Sequence, residues 1–147
     1  MSHPLAVGVG SPHGDDRAGW LVIERLHELG VSKADARIVQ SPTELCHLGS
    51  PQRPLLVCDA GRSDAAAGII DVCTWPAQSL PVCRGGTHDV SLGDALSLSL
   101  HLGAIPSTVA IWIINGRDFR PLSEPSRAVI IAAAQLADHL WSEWHHA

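Results

Sequence analysis

Positive charge is scarce in this sequence. Lys and Arg together number 10 against 15 Asp and Glu, for a formal net charge of -5. That balance supplies no basic footprint for nucleic acid or for an anionic membrane, so neither is expected as a partner. Long apolar runs are also lacking, since no segment approaches the roughly eighteen consecutive apolar residues of a membrane span. The opening MSHPLAVGVG has no basic region ahead of an apolar one, so no secretory leader is expected and the expected location is cytoplasmic.

Other signatures are missing too. Cys46, Cys58, Cys73 and Cys83 form no C-x-x-C pair and lack zinc-finger spacing with histidine; they read as small buried hydrophobes. Neither a G-x-S-x-G elbow nor an H-E-x-x-H helix occurs, which removes the two commonest hydrolase signatures. No repeat, linker or low-complexity tract divides the chain, so 1–147 reads as one domain, long enough to bury a core without staples.

What is present is organised around Leu5 to Glu24, LAVGVGSPHGDDRAGWLVIE. A buried strand (Leu5 to Val9) runs through a turn of Gly8, Gly10, Ser11, Pro12 and Gly14 into a helix beginning near Asp15. This is the opening unit of an α/β domain, whose ligands gather beyond the carboxyl ends of the strands. Gly8, Gly10 and Gly14 are spaced one residue too widely for G-x-G-x-x-G, and two aspartates at the helix mouth repel phosphate, so no dinucleotide is expected. Asp15 and Asp16 admit two readings: acidic residues favoured by a helix's first turn, or ligands for a divalent cation.

Further along, Asp15 to Leu29 carries an apolar stripe and stops at Gly30. Ala36 to Val39 reads as a second strand, and Ser41 with Pro42 starts a short helix over Thr43 to Leu48. Pro54 to Cys58 is a continuous apolar run ending on Asp59, as for a central parallel strand. Gly68 to Thr74 follows as a strand, and Pro76 to Gly86 as an irregular segment, hairpin or edge strand. A helix over Val90 to Leu102, a strand over Thr108 to Ile114 and a closing helix over Ser123 to Trp144 complete the order. It implies a three-layer α/β/α domain with a mostly parallel, twisted sheet of about five strands.

In that order Asp16, Asp59 and His88 can meet at one edge of the sheet. Two carboxylates and an imidazole suit Zn, Ni or Fe(II) better than Ca or Mg. Each also has a plainer reading: Asp59 as a turn residue closing its strand, His88 as a loop hydrogen-bonder.

The same stretches resemble the hydrogenase maturation endopeptidases, which trim the C-terminal extension from [NiFe] hydrogenase large subunits. GVGSPHGDDRAGWLVIERL is similar to that family's G-x-G-N-P-x-x-G-D-D-G-x-G opening, with one residue fewer in the loop. LLVCDAGRSDAAAGII resembles its strand ending in D-A, THDVSLGDALSL its S-x-H-x-L-x-L-x-E-A-L segment, and IINGRDFRPLSEPSRAVIIAAAQLADHL its last strand and closing helix.

The resemblance implies a phosphorylase/hydrolase-like fold and a nickel-dependent endopeptidase acting on a large-subunit precursor after nickel insertion. Asp16, Asp59 and His88 would be the catalytic and nickel-recognising residues, the nickel being carried by the substrate, with no organic cofactor. His13, Thr43 and Thr87 would be substrate contacts, and the protein a monomer. Two alternatives stand beside it: a relative that binds nickel or the partner without cutting, and a peptidyl-tRNA hydrolase, which has a similar opening but which the net charge of -5 serves poorly.

Overall fold

A computed structural model describes residues 4–76 and 91–146. Strand β1 (Leu5–Val9) is buried along its whole length. A 3-10 turn over Gly14–Arg17 follows, and only then helix α1 (Ala18–Glu28), so the helical start expected near Asp15 is a tighter turn for its first four residues. Gly30 closes α1 in a left-handed conformation (φ 100°), its N–H on the His27 carbonyl.

Strand β2 (Ala36–Val39) leads into a 3-10 turn over Pro42–His47. Ser41 and Glu44 form a capping box there, the Glu44 carboxylate accepting from the N–H groups of Gln40 (3.0 Å) and Ser41 (3.2 Å). Strand β3 spans Leu55–Arg62 and β4 spans Ile70–Trp75. Helix α2 (Leu92–His101) is capped by Ser91, and strand β5 (Val109–Gly116) and helix α3 (Arg127–His146) end the chain. No helix among the described residues is long and apolar enough to cross a membrane.

The five strands lie in the order β2-β1-β3-β5-β4, parallel except for β4, which runs antiparallel to β5 at the edge. Alternation along the strands divides the apolar residues between two cores. Leu5, Val7 and Val9 of β1, Leu55 and Val57 of β3 and Ile111 and Ile113 of β5 pack with Leu92 and Leu96 of α2 and Leu45 of the second 3-10 turn. Ala6, Leu56, Cys58 and Ile114 face the other way, onto Val22 and Leu26 of α1 and Val129, Leu136 and Leu140 of α3. The result is three layers, helix on sheet on helix.

Helix α1 sits close to the sheet because two glycines allow it. A Cβ on Gly19 would strike the carbonyls of Cys58 and Val9, and one on Gly8 would strike the Gly19 carbonyl. The helix that carries Asp16 at its mouth is thereby fixed against β1 and β3 together.

Two boundaries near the site differ from the sequence reading. Strand β3 continues to Arg62 because its ladder with β5 runs on from Asp59↔Ile113 to Arg62↔Gly116, so Asp59 lies inside the strand rather than at its end. Helix α3 starts at Arg127 rather than Ser123, since the Ser126 N–H is taken by a side chain described below. The irregular segment expected over Pro76 to Gly86 falls almost wholly outside the described residues.

Candidate functional site

Strand β1 connects outward to β2, whereas β3 pairs on the opposite side of β1, so the order reverses between β1 and β3. The crevice at the carboxyl ends of such a pair is where open α/β sheets hold ligands. Asp16 follows β1 and Asp59 lies in β3, one on each side of that crevice.

The loop that delivers Asp16 is stitched to the loop after β5. Gly14 takes a left-handed conformation (φ 58°) that brings its Cα against the Asp118 carbonyl, where a Cβ would collide. Its N–H donates to the Ser123 carbonyl at 3.0 Å, and the Asp15 N–H to the Asp118 carbonyl at 2.7 Å. The Asp15 carboxylate, fully buried, accepts from the backbone N–H groups of Arg117 (2.8 Å), Asp118 (3.0 Å) and Ser126 (2.6 Å). Asp15 is therefore consumed as a clamp.

Asp16 is the member of the pair left for the crevice side. It is fully buried, and Ser11 Oγ donates to its Oδ2 at 2.5 Å. The Ser11 N–H reaches the Asp16 carbonyl at 3.2 Å, so Ser11 holds both the side chain and the backbone of the residue it serves. Asp59 is 1% exposed, and its place two residues beyond Val57 puts it on the α2 side of the sheet. Its Oδ1 accepts from the Ala60 N–H at 2.8 Å.

Burial drives the Asp59 carboxyl well above the ordinary carboxylate range; the Ala60 N–H opposes this, and the charge of nearby Asp16 adds to it. Neighbouring Cys58 is pushed up to about 12 by burial and by Asp59, which leaves an inert thiol. Two carboxylates in a dry crevice are a general acid/base pair or a pair of hard donors for a cation. Among the described residues no group of three or more His, Cys, Asp and Glu is gathered tightly enough to hold a metal ion. His88 and Thr87 lie outside those residues.

His13 and Thr43 are both engaged locally. The Leu122 N–H donates to His13 Nδ1 at 3.0 Å, another tie between the first loop and the loop before α3. Thr43 Oγ1 lies 2.8 Å from Ser41 Oγ inside the cap that follows β2. Sequence reasoning singled out Asp16 but gave Asp15 no role of its own, and it did not identify Ser11 as the donor to Asp16. Ser11 had a local signal, a hydroxyl five residues before the carboxylate in a tight turn; Asp15 had none, because its acceptor work is done on residues more than a hundred positions away.

No protein-family model matches the chain, and no curated protein matches it in sequence. Solved structures do. The chain is similar to the [NiFe] hydrogenase maturation protease HycI from Thermococcus kodakarensis KOD1, with 21% identity over 95% of this chain and 90% of that one and a TM-score of 0.72. It is similar to the hydrogenase maturating endopeptidase HybD from E. coli, with 18% identity over 97% and 94% of the two chains and a TM-score of 0.72. A third likeness is to the [NiFe] hydrogenase maturation protease HybD from Thermococcus kodakarensis, with 18% identity over 97% and 99% and a TM-score of 0.73. At these identities the likeness is one of fold, and it agrees with the α/β class read from the sequence.

Proposed function

We propose that this chain is a processing endopeptidase that removes the C-terminal extension of a [NiFe] hydrogenase large-subunit precursor once nickel has been inserted. The observation that carries the reading is the burial of Asp16 and Asp59 on opposite sides of the β1/β3 crevice, in a chain whose fold is shared with proteins named as maturation proteases. His88, on the segment between β4 and α2, is proposed as the third member of the set.

The donor chemistry suits the task. Part of what raises the Asp59 pKa is the charge of Asp16, and a divalent cation between them relieves that repulsion while accepting an imidazole as a further ligand. A precursor that already carries nickel brings this cation with it. A precursor without nickel brings nothing to displace the proton that burial holds on Asp59 or to bridge the two carboxyl groups, so docking depends on completed metal insertion. Ser11 and the Asp15 clamp keep the crevice in shape between substrates.

The test is to incubate the purified protein with its cognate precursor, nickel-loaded and nickel-free, and follow loss of a C-terminal peptide by mass spectrometry. Cleavage of the loaded form alone, abolished in Asp16→Asn and in His88→Ala, is the expected result. Cleavage that survives both substitutions overturns the site, and a loaded precursor left intact by the wild-type protein overturns the peptidase reading.

A further inference from the structure

Leu122 stands out twice, and the proposed chemistry does not use it. Among the described residues it is the one non-glycine residue with a positive φ (55°), and at 76% it is the most exposed of their large apolar side chains. A left-handed backbone crowds the Cβ of an L residue, so glycine or asparagine sits there at less cost than leucine. The Leu122 side chain belongs to neither core, so the fold gains no burial from it in return.

Its position is fixed from both sides. The Leu122 N–H donates to His13 Nδ1 at 3.0 Å, and the His13 carbonyl accepts from the Asp16 N–H at 3.1 Å, so a single residue stands between Leu122 and Asp16. The Ser123 N–H and hydroxyl both donate to the Arg120 carbonyl, at 3.2 and 2.9 Å, and the Ser123 carbonyl accepts from the Gly14 N–H at 3.0 Å. Gly14 comes so near that a Cβ on it would meet Ser123 Oγ. The turn that displays Leu122 is thus built onto the loop that delivers Asp16. Pro12, just before His13, and Pro121, just before Leu122, are exposed as well. Apolar surface from both loops is gathered where they join, at the carboxyl-end edge of the sheet.

Backbone strain held in place by its surroundings is a feature of ligand clamps. An apolar side chain displayed on a braced turn also has less ordering to undergo on binding. We propose that Leu122 is a docking residue, its side chain buried against an apolar side chain of the precursor segment presented to Asp16 and Asp59. It would read the precursor's sequence, where the carboxylates read its metal. The inference rests on the peptidase reading for the identity of that partner. Leu102 supplies a comparison: it is 61% exposed but caps the end of α2 that leads into the amino end of β5, at the opposite edge of the sheet.

Biolayer interferometry on immobilised nickel-loaded precursor tests this with the wild-type protein, Leu122→Gly, Leu122→Asn, Leu122→Met and Leu102→Asn, each also unfolded in urea. Glycine and asparagine are expected to cost no stability at a left-handed position, yet to weaken precursor binding roughly tenfold, the effect of withholding one leucine side chain from burial. Methionine, which keeps the apolar bulk, is expected to retain most of the affinity, and Leu102→Asn all of it. Wild-type affinity in Leu122→Gly and Leu122→Asn overturns the proposal. So does a loss of affinity matched by a loss of stability in both, or an equal loss of affinity in Leu102→Asn. A wild-type protein that does not bind the loaded precursor overturns it together with the peptidase reading. Precursor bound through Leu122 but left uncut keeps the docking residue and removes the peptidase reading; limiting precursor cut equally well by wild type and by both Leu122 variants does the reverse.

Discussion

Asp15 and Ser126 stand 111 positions apart and are joined by a 2.6 Å hydrogen bond from the Ser126 backbone N–H to the Asp15 carboxylate. That bond, with those from Arg117 and Asp118 to the same carboxylate, ties the loop after β1 to the loop after β5. It also sets where α3 begins, because the N–H it takes sits one residue ahead of the helix.

Asp15→Ala should therefore act on stability. It leaves three backbone N–H groups without their acceptor in a buried setting, and hydrogen bonds to a charged group contribute about 1.5–3 kcal/mol each. With partial relaxation and water entry, a loss of roughly 3–5 kcal/mol is expected in urea unfolding. A loss below about 1 kcal/mol would show that the clamp is not structural.

Asp59→Asn should move stability the other way. Burial raises the folded-state pKa of Asp59 well above its ordinary value of 3.8, so between the unfolded and folded values the native state holds a proton that the unfolded state releases. Stability contributed by this group is complete below the unfolded pKa and is lost as pH rises through the folded one. Asn keeps an oxygen for the Ala60 N–H and carries no charge, so the variant should match wild type at low pH and exceed it at neutral pH. Thermal unfolding across pH checks this, and a variant less stable than wild type at neutral pH would contradict it. Processing activity should be lost in the same protein.

Gly19→Ala tests the seat of α1. The added methyl meets the carbonyls of Cys58 and Val9, both in the sheet, and neither backbone can move without breaking a ladder. Overpacking of this kind costs about 1–3 kcal/mol or more. Gly103→Ala is the control, because no atom lies within 4 Å of its added methyl and only its positive φ of 71° resists the change. Denaturation should show the Gly19 variant clearly the weaker; equal losses would mean that α1 can lift from the sheet.

The order of elements was legible because its signals are local. Ser41, Pro42 and Glu44 cap one turn, Gly30 stops one helix, and PLLVC announces a strand buried on both faces, all within a few residues of the structure they specify. The aspartates after β1 and in β3 were visible for the same reason, since a strand followed by a glycine turn announces its own carboxyl end.

What only the tertiary structure decided is long-range. Strand order, the antiparallel edge strand β4 and the extension of β3 past Asp59 depend on which backbones pair across thirty or more residues, and side-chain periodicity does not encode the partner. The division of labour between Asp15 and Asp16 is of the same kind. Two identical side chains, adjacent in sequence, differ because one points at the N–H groups of the loop after β5 and the other at Ser11 beside the β1/β3 crevice. The sequence by itself determined that carboxylates stand at that edge of the sheet and singled out Asp16; the packing of distant loops decided that Asp15 is a clamp.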